Sequence, residues 1–271
     1  LELKGAARWI ALGPVTFQPA ELLKFAVVLL LAGVYASRVR DVHTLRGGVL
    51  PLLAVAGSSA ALLLLQPDTD GAAMLLIAGA AMLFAAGGRI WHLLLLALLA
   101  ALALGVVAYQ RPYLAERFTT FINHSADPKG AGWQISQSLI AVGSGGWTGR
   151  GFGQSIEKFS YLPEPIGDSI FAVAAEEFGF VGSVALVLLY ASVALLGLRI
   201  AARAPDPFGG LIVVGLTMLI IGQSFMNIAS TLGLIPLSGL PLIFVSHGGT
   251  ALAIALAEVG VILSVSRRMK S

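Results

Sequence analysis

Long apolar runs alternate along this chain with connections that hold basic residues and turn formers. A helix crossing about 30 Å of hydrocarbon needs about 20 mostly apolar residues. That length marks segments near 19–37, 47–66, 71–88, 90–109, 180–198, 208–230 and 248–266. The run IWHLLLLALLAALALGVVAY, residues 90–109, has His92 and the terminal Tyr109 as its polar interruptions and no charge. A core helix of a soluble protein would show a polar face here. The pattern predicts an all-α, polytopic transmembrane helical bundle with about seven spans.

Orientation follows from Lys and Arg in the short connections, which resist translocation. With seven crossings, the ends at Arg38, Arg40 and Arg46, at Arg89, at Arg199 and Arg203, and at Arg267, Arg268 and Lys270 all fall on one side, expected to be the cytoplasm. The opposite side receives the residues before 19, the QPDTD turn at 66–70, the 110–167 segment and the 231–247 segment. The 110–167 segment is too long and polar for a plain connection, so it should carry structure and work. Within it RPYLAERFTTFI fits a short interfacial helix, and WQISQSLIAVG fits a re-entrant or surface-lying element, tolerated where protein or water satisfies its backbone.

Composition agrees: 57% of the 271 residues are hydrophobic and 11% charged. The absence of Cys excludes disulfides, thiol nucleophiles and Cys-ligated metals. A net charge of +3, with basic residues scattered singly, argues against nucleic acid as a partner. The chain opens at Leu1 without Met or a signal-peptide pattern, and reads as N-terminally incomplete.

Charges in or beside spans are expensive and are therefore candidates for function. Glu21 and Lys24 lie three apart on one helical face after Pro19, either as a mutually neutralising pair or as a substrate-binding pair. Asp68 and Asp70 flank a turn where one of them would cap the next helix. Glu176 and Glu177 point about 100° apart on a helix, so one should face a cavity or a cation. Asp168, following Pro165 and Gly167, suits an N-cap, and equally a general base fixed at the end of a rigid helix beside Glu164. The loop GSGGWTGRGFG lacks the GK[ST] of a phosphate loop and reads as flexible ligand access. His43, His92, His124 and His247 do not pair at metal-ligand spacing, so no metal site is expected from them. Gln223 and Asn227, four apart, suit interhelical hydrogen bonds.

Four stretches in order, GAARWIALGPVTFQPAELLKF, LQPDTDGAAML, GWQISQSLIAVGSGGWTGRGFGQSIEKFSYLPEPIGDSIFAVAAEEFG and QSFMNIASTLGLIPLSGLPLIFVSHGGTAL, resemble the SEDS family (shape, elongation, division and sporulation), which includes FtsW, RodA and SpoVE. The resemblance covers nearly all of residues 1–271 as one membrane domain, with 110–167 its large extracytoplasmic loop. It implies about ten helices in the complete protein. It further implies a peptidoglycan glycosyltransferase that polymerises lipid II at the outer face of the bacterial plasma membrane, releases undecaprenyl diphosphate, and works with a class B penicillin-binding protein and other division proteins among membrane lipids. The family's essential acid falls on Asp168. Arg8, Glu21 and Lys24 match its RWI and QP-x-E-x-x-K pattern, Asp68 its QPD turn, and Glu164 is expected to shape the site or hold a cation near it. Lys24, Arg8 or a divalent cation (Mg or Mn) would stabilise the departing diphosphate. The chain has QPDTDGA for QPD-x-GTA and SHGGTAL for SYGGSSL, and NIASTLGLIPLSG leans toward the division branch. A lipid II flippase, an elongation-type polymerase and a scaffold for the partner are the competing readings.

Overall fold

The computed structural model describes residues 2–3, 6–7, 9–12, 15–110, 112–123 and 130–269. It is a helical membrane protein. Two short hairpins come first: β1 (Glu2–Leu3) pairs with β2 (Ala6–Ala7), and β3 (Ile10–Leu12) with β4 (Val15–Phe17), Ile10 opposite Phe17. The helices α1 (Pro19–Ser37), α4 (Thr69–Ala85), α5 (Ile90–Gln110), α10 (Pro207–Thr231) and α11 (Gly249–Ser266) lie within a few residues of the expected spans. α4, with 17 residues, is the short one.

Two spans differ from expectation. The second, Leu45–Leu65, is not a uniform α-helix. π-helical turns at Leu45–Val49 and Leu53–Gly57 flank α2 (Leu50–Leu52), and α3 (Ser58–Leu65) completes the crossing. Pro51 lacks the N–H that a regular helix would use, and the widened turns re-pair the backbone on either side of it. The fifth, expected at 180–198, is α9 (Ile170–Ala202), 33 residues broken at Gly179, where φ is 66°. It begins ten residues early because FAVAAEE continues the helix outward from the hydrocarbon.

The chain forms two compact units, one of Leu1–Leu99, Val193–Gly222 and Gly248–Ser271, the other of Ala100–Ser192 and Gln223–His247. In the first, α1 packs on α4 and α11 around Val28, Leu31, Tyr35, Met74, Met82 and Leu216, all buried. Gly215 lets α10 approach closely, since a Cβ there would meet Val28 Cγ1 at 2.5 Å. Val39, Ala85, Ala201 and Pro207 line one cavity of about 490 Å³, and Val265 reaches Gly209 beside it. The ends of α1, α4, α9 and α11, with the start of α10, therefore gather in one place, and Arg38, Arg89, Arg203 and Arg267 gather with them. That is the grouping the basic connections predict. α5 shows the opposite behaviour: of its 21 residues only His92 and Leu96 are buried, as suits a helix facing lipid.

In the second unit the described residues of the 110–167 segment are structured. It holds α6 (Pro112–Ile122), α7 (Ala131–Ser144) and α8 (Glu157–Ser160). α6 and α7 are the two elements expected from RPYLAERFTTFI and WQISQSLIAVG. α7 packs Ala141 against Leu162, Ala172 and Val173, so it buttresses the first turns of α9.

Candidate active site

Asp168 stands at the entry of α9, where Pro163, Pro165 and Gly167 keep the chain out of a helix. The turn is closed on Glu164, whose carbonyl accepts from Gly167 N at 3.1 Å and Ser169 N at 3.2 Å. Glu164 itself takes φ 48°, a left-handed conformation costly for a non-glycine residue and characteristic of functional turns. Helix α9 begins at Ile170, and the carbonyl of Ser169 just before it accepts from Ala172 N at 3.0 Å. The Ser169 hydroxyl donates to Pro163 O at 3.0 Å and accepts from Gln134 Nε2 of α7 at 3.1 Å.

The main chain around Asp168 is gripped from two further directions. Asn227 of α10 is fully buried, and its side-chain amide donates to Asp168 O and to Leu240 O, both at 2.8 Å. The Thr231 hydroxyl, one turn on, lies 3.5 Å from the same Asp168 carbonyl and donates to Asn227 O at 2.8 Å. From the segment after α10, Ser246 Oγ donates to Gly167 O and His247 N to Ile166 O, each at 2.8 Å. Three consecutive carbonyls, of residues 166, 167 and 168, are thus held by partners far along the chain. The half-buried Asp168 carboxylate lies beside the Ser238–Gly239 turn, and a Cβ on Gly239 would sit 4.0 Å from Asp168 Oδ2. The structure therefore brings together Asp168, Glu164, Asn227, Ser246 and His247. Asn227 was expected only to bridge helices. The spacing of Gln223, Asn227 and Thr231, every fourth residue on an apolar helix, is the signal that marks this stripe. Nothing local marks Gln134 or Ser246.

Glu176 and Glu177 both have cationic partners. Glu176, fully buried, accepts from Ser155 Oγ at 2.6 Å and Ile156 N at 3.1 Å and pairs with Arg150 Nε at 3.2 Å. Glu177 pairs with Lys158. The glycine-rich loop joins this anchor and is not a flexible ligand gate. At the break in α9, the Glu176 and Glu177 carbonyls accept from Arg150 N and Gly151 N, both at 3.0 Å. The Phe180 and Val181 amides donate to Gly146 O at 2.8 Å and Trp147 O at 3.1 Å. The loop supplies the hydrogen bonds that the broken helix lacks. It needs glycine to come so near: a Cβ on Gly149 would meet Glu177 O at 2.1 Å. Beside this anchor, burial and the Glu176 carboxylate push the Glu157 carboxyl up, opposed by Arg150.

The other expected residues lie in the first unit. Lys24 Nζ donates to Glu21 Oε1 at 2.8 Å, with both side chains buried in α1. Glu258 of α11 is buried within electrostatic reach of both. Asp68 is the N-cap of α4, accepting from Gly71 N at 3.0 Å, and Asp70 lies in the first turn. Arg8 falls outside the described residues. Among the described residues no group of three or more His, Asp or Glu side chains is arranged to hold a metal ion.

A mobile-looking glycine loop that proves to be a backbone anchor, and an aspartate held by its main chain at a helix entry, are features of the whole fold, and the whole fold has relatives. The chain is 39% identical to stage V sporulation protein E of Bacillus subtilis, covering 97% of this chain and 72% of that one. It is 40% identical to the probable peptidoglycan glycosyltransferase FtsW of Nitrosococcus halophilus, covering 98% and 69%. Among solved structures, a chain of a peptidoglycan synthase complex that coordinates polymerization and crosslinking matches with a TM-score of 0.78 and 30% identity, over 98% of this chain and 75% of that one. The family described as cell cycle protein, FtsW, RodA and SpoVE, matches residues 1–271, and this chain belongs to it.

Proposed function

We propose that the protein is a peptidoglycan glycosyltransferase that polymerises lipid II during cell division, with Asp168 as its general base. The acceptor's sugar 4-hydroxyl gives its proton to the Asp168 carboxylate as its oxygen attacks the donor's anomeric carbon. The bond from that carbon to the diphosphate breaks with inversion, and undecaprenyl diphosphate leaves with the electron pair. The resemblance assigns Lys24 and Arg8 to the lipid-linked diphosphate, and fixed positive charge at a departing phosphate contributes several kcal/mol. Glu21 holds Lys24 in place, Asp68 orders the turn before α4, and Glu164 shapes the acceptor side. No step is routed through a divalent cation.

The observation that carries this reading is the grip on Asp168. Asn227, Ser246 and His247 hold the main chain of residues 166–168, so the carboxylate is presented from a fixed backbone. The relatives named as peptidoglycan glycosyltransferases support it. The basic ends gathered in the first unit are assigned to the cytoplasm, which puts the 110–167 segment and Asp168 outside the plasma membrane. The partner is a class B penicillin-binding protein, in keeping with the synthase complex among the structural relatives.

The test is polymerisation of purified lipid II by the full-length protein with that partner. Asp168→Asn is nearly the same size and cannot accept the proton. The variant should fold, insert and bind its partner while losing about 10²-fold or more of the rate. Near-parent polymerisation by Asp168→Asn would remove the catalytic assignment and favour a flippase.

A further inference from the structure

The break in α9 carries a cluster of aromatic side chains that the catalytic reading leaves unused. Trp147 and Phe152 of the glycine-rich loop are 74% and 82% exposed, and Phe178 and Phe180 of α9 are 46% and 56% exposed. They form two ring pairs at the break. Trp147 meets Phe180 edge to face with ring centroids 5.2 Å apart, and Phe152 lies 6.0 Å from Phe178. Phe159 adds a further ring, 77% exposed, with the Lys158 ammonium 5.0 Å from its ring centroid.

The depth of this surface follows from α9. The part after the break, residues 180–202, extends about 35 Å at 1.5 Å each, enough for the 30 Å or so of hydrocarbon. Arg199 marks its basic end, and counting about 20 residues back from there reaches Gly179. The helix break, with the four rings around it, therefore coincides with the opposite hydrocarbon boundary. Below it the exposed face of α9 continues as Val181, Val184 and Leu188, the apolar surface expected against lipid tails. Above it stand Glu176 and Glu177 with their cations. The Trp147 indole, with an apolar body and a polar N–H, suits this level of a bilayer, the phenyl rings beside it add apolar contact, and Lys158 can reach the headgroups.

We infer that the 146–159 segment is a membrane-interface anchor, with Trp147, Phe152 and Phe159 seated at the level of the acyl carbonyls beside Phe178 and Phe180. The occupant of the surface is the lipid itself, because the patch is continuous with the lipid-facing side of a membrane-crossing helix. The loop cannot swing away from that depth, since four main-chain hydrogen bonds fix it to residues 176–181. The inference rests on α9 crossing the membrane and not on any catalytic assignment.

The test uses the absence of cysteine in the chain. Phe152→Cys, a change at an exposed ring, takes a single nitroxide in the full-length protein, with any cysteine outside residues 1–271 replaced by Ser, reconstituted in phosphatidylglycerol and phosphatidylethanolamine nanodiscs. Collision with dissolved oxygen should exceed collision with a water-soluble nickel chelate several-fold, at a depth near the acyl carbonyls. A parallel variant keeping Trp147 and replacing every other tryptophan, Trp9, Trp91 and Trp133 among them, by Phe should be quenched by lipids labelled near the headgroup more than by lipids labelled at the chain end. A nitroxide open to the nickel chelate, or closed to both reagents as it would be under a protein partner, overturns the inference, as does Trp147 fluorescence quenched by aqueous iodide alone.

Discussion

Asn227 and Asp168 are joined through main chain, not through charge: the amide of one donates to the carbonyl of the other at 2.8 Å across 59 residues of sequence. The same amide holds Leu240 O, so one buried side chain ties the acid's backbone to the segment that lies beside its carboxylate. This arrangement separates positioning from chemistry, because a substitution at either residue tests one without removing the other.

Asn227→Ala strands two carbonyls at a fully buried point, at a cost of about 1–3 kcal/mol for each group left unsatisfied. Thermal unfolding in detergent should fall accordingly, and polymerisation should fall with it as Asp168 loses its register. Asn227→Asp sets a carboxylate against the same two carbonyl oxygens and should be worse than Ala in both measurements. Equal behaviour of parent and Asn227→Ala would show that the grip is unnecessary.

The glycines of the loop are separable by one comparison. Gly149 has φ 80° and a Cβ there would lie 2.1 Å from Glu177 O, whereas Gly153 has φ 79° and open space around it. Gly153→Ala should cost only the left-handed strain, about 1–2 kcal/mol. Gly149→Ala must push the loop off α9 and should expose 149–160 to protease in a native-state digestion. Equal protease resistance of the two variants would contradict the anchor.

Glu157 gives a pH dependence with a definite sign. Its Oε2 is buried without a partner, and burial and Glu176 raise its carboxyl above the ordinary range while Arg150 opposes them. The folded state therefore holds this proton more tightly than the unfolded chain. Its contribution to stability is fully present below the ordinary Glu value of about 4.3 and is lost as pH rises through the raised folded value. Glu157→Gln, which copies the protonated form, should raise the thermal midpoint at about pH 7.5 and change nothing near pH 4. A midpoint shift of the same size at both pH values would rule out the proton as its origin.

The Glu21–Lys24 pair can be tested by reversal. Glu21→Lys with Lys24→Glu keeps an ion pair three residues apart on α1, so insertion and folding should survive. A diphosphate contact made by Lys24 does not survive, and polymerisation should be lost. Retained polymerisation in the reversed variant would leave the pair a structural role alone.

The spans, the basic ends and the Asp68 cap were legible in the sequence because each depends on residues near one another. A run of about 20 apolar side chains meets the hydrocarbon requirement by itself, and an Asp before an apolar helix caps it through a hydrogen bond only three residues long. The resemblance placed the essential acid at Asp168 on the same local basis. Tertiary structure decided how that acid is held. The turn closes on Glu164, and Gln134, Asn227 and Ser246 reach residues 167–169 from 35 to 79 residues away. It also decided the meaning of the glycine loop. A string of glycines permits mobility and close approach equally, and only the unpaired backbone at the break in α9, brought against Gly146–Gly151 by folding, selects the second. Hydrogen-bond demand inside a membrane protein is met by whatever segment arrives, and that arrival is a property of the whole chain.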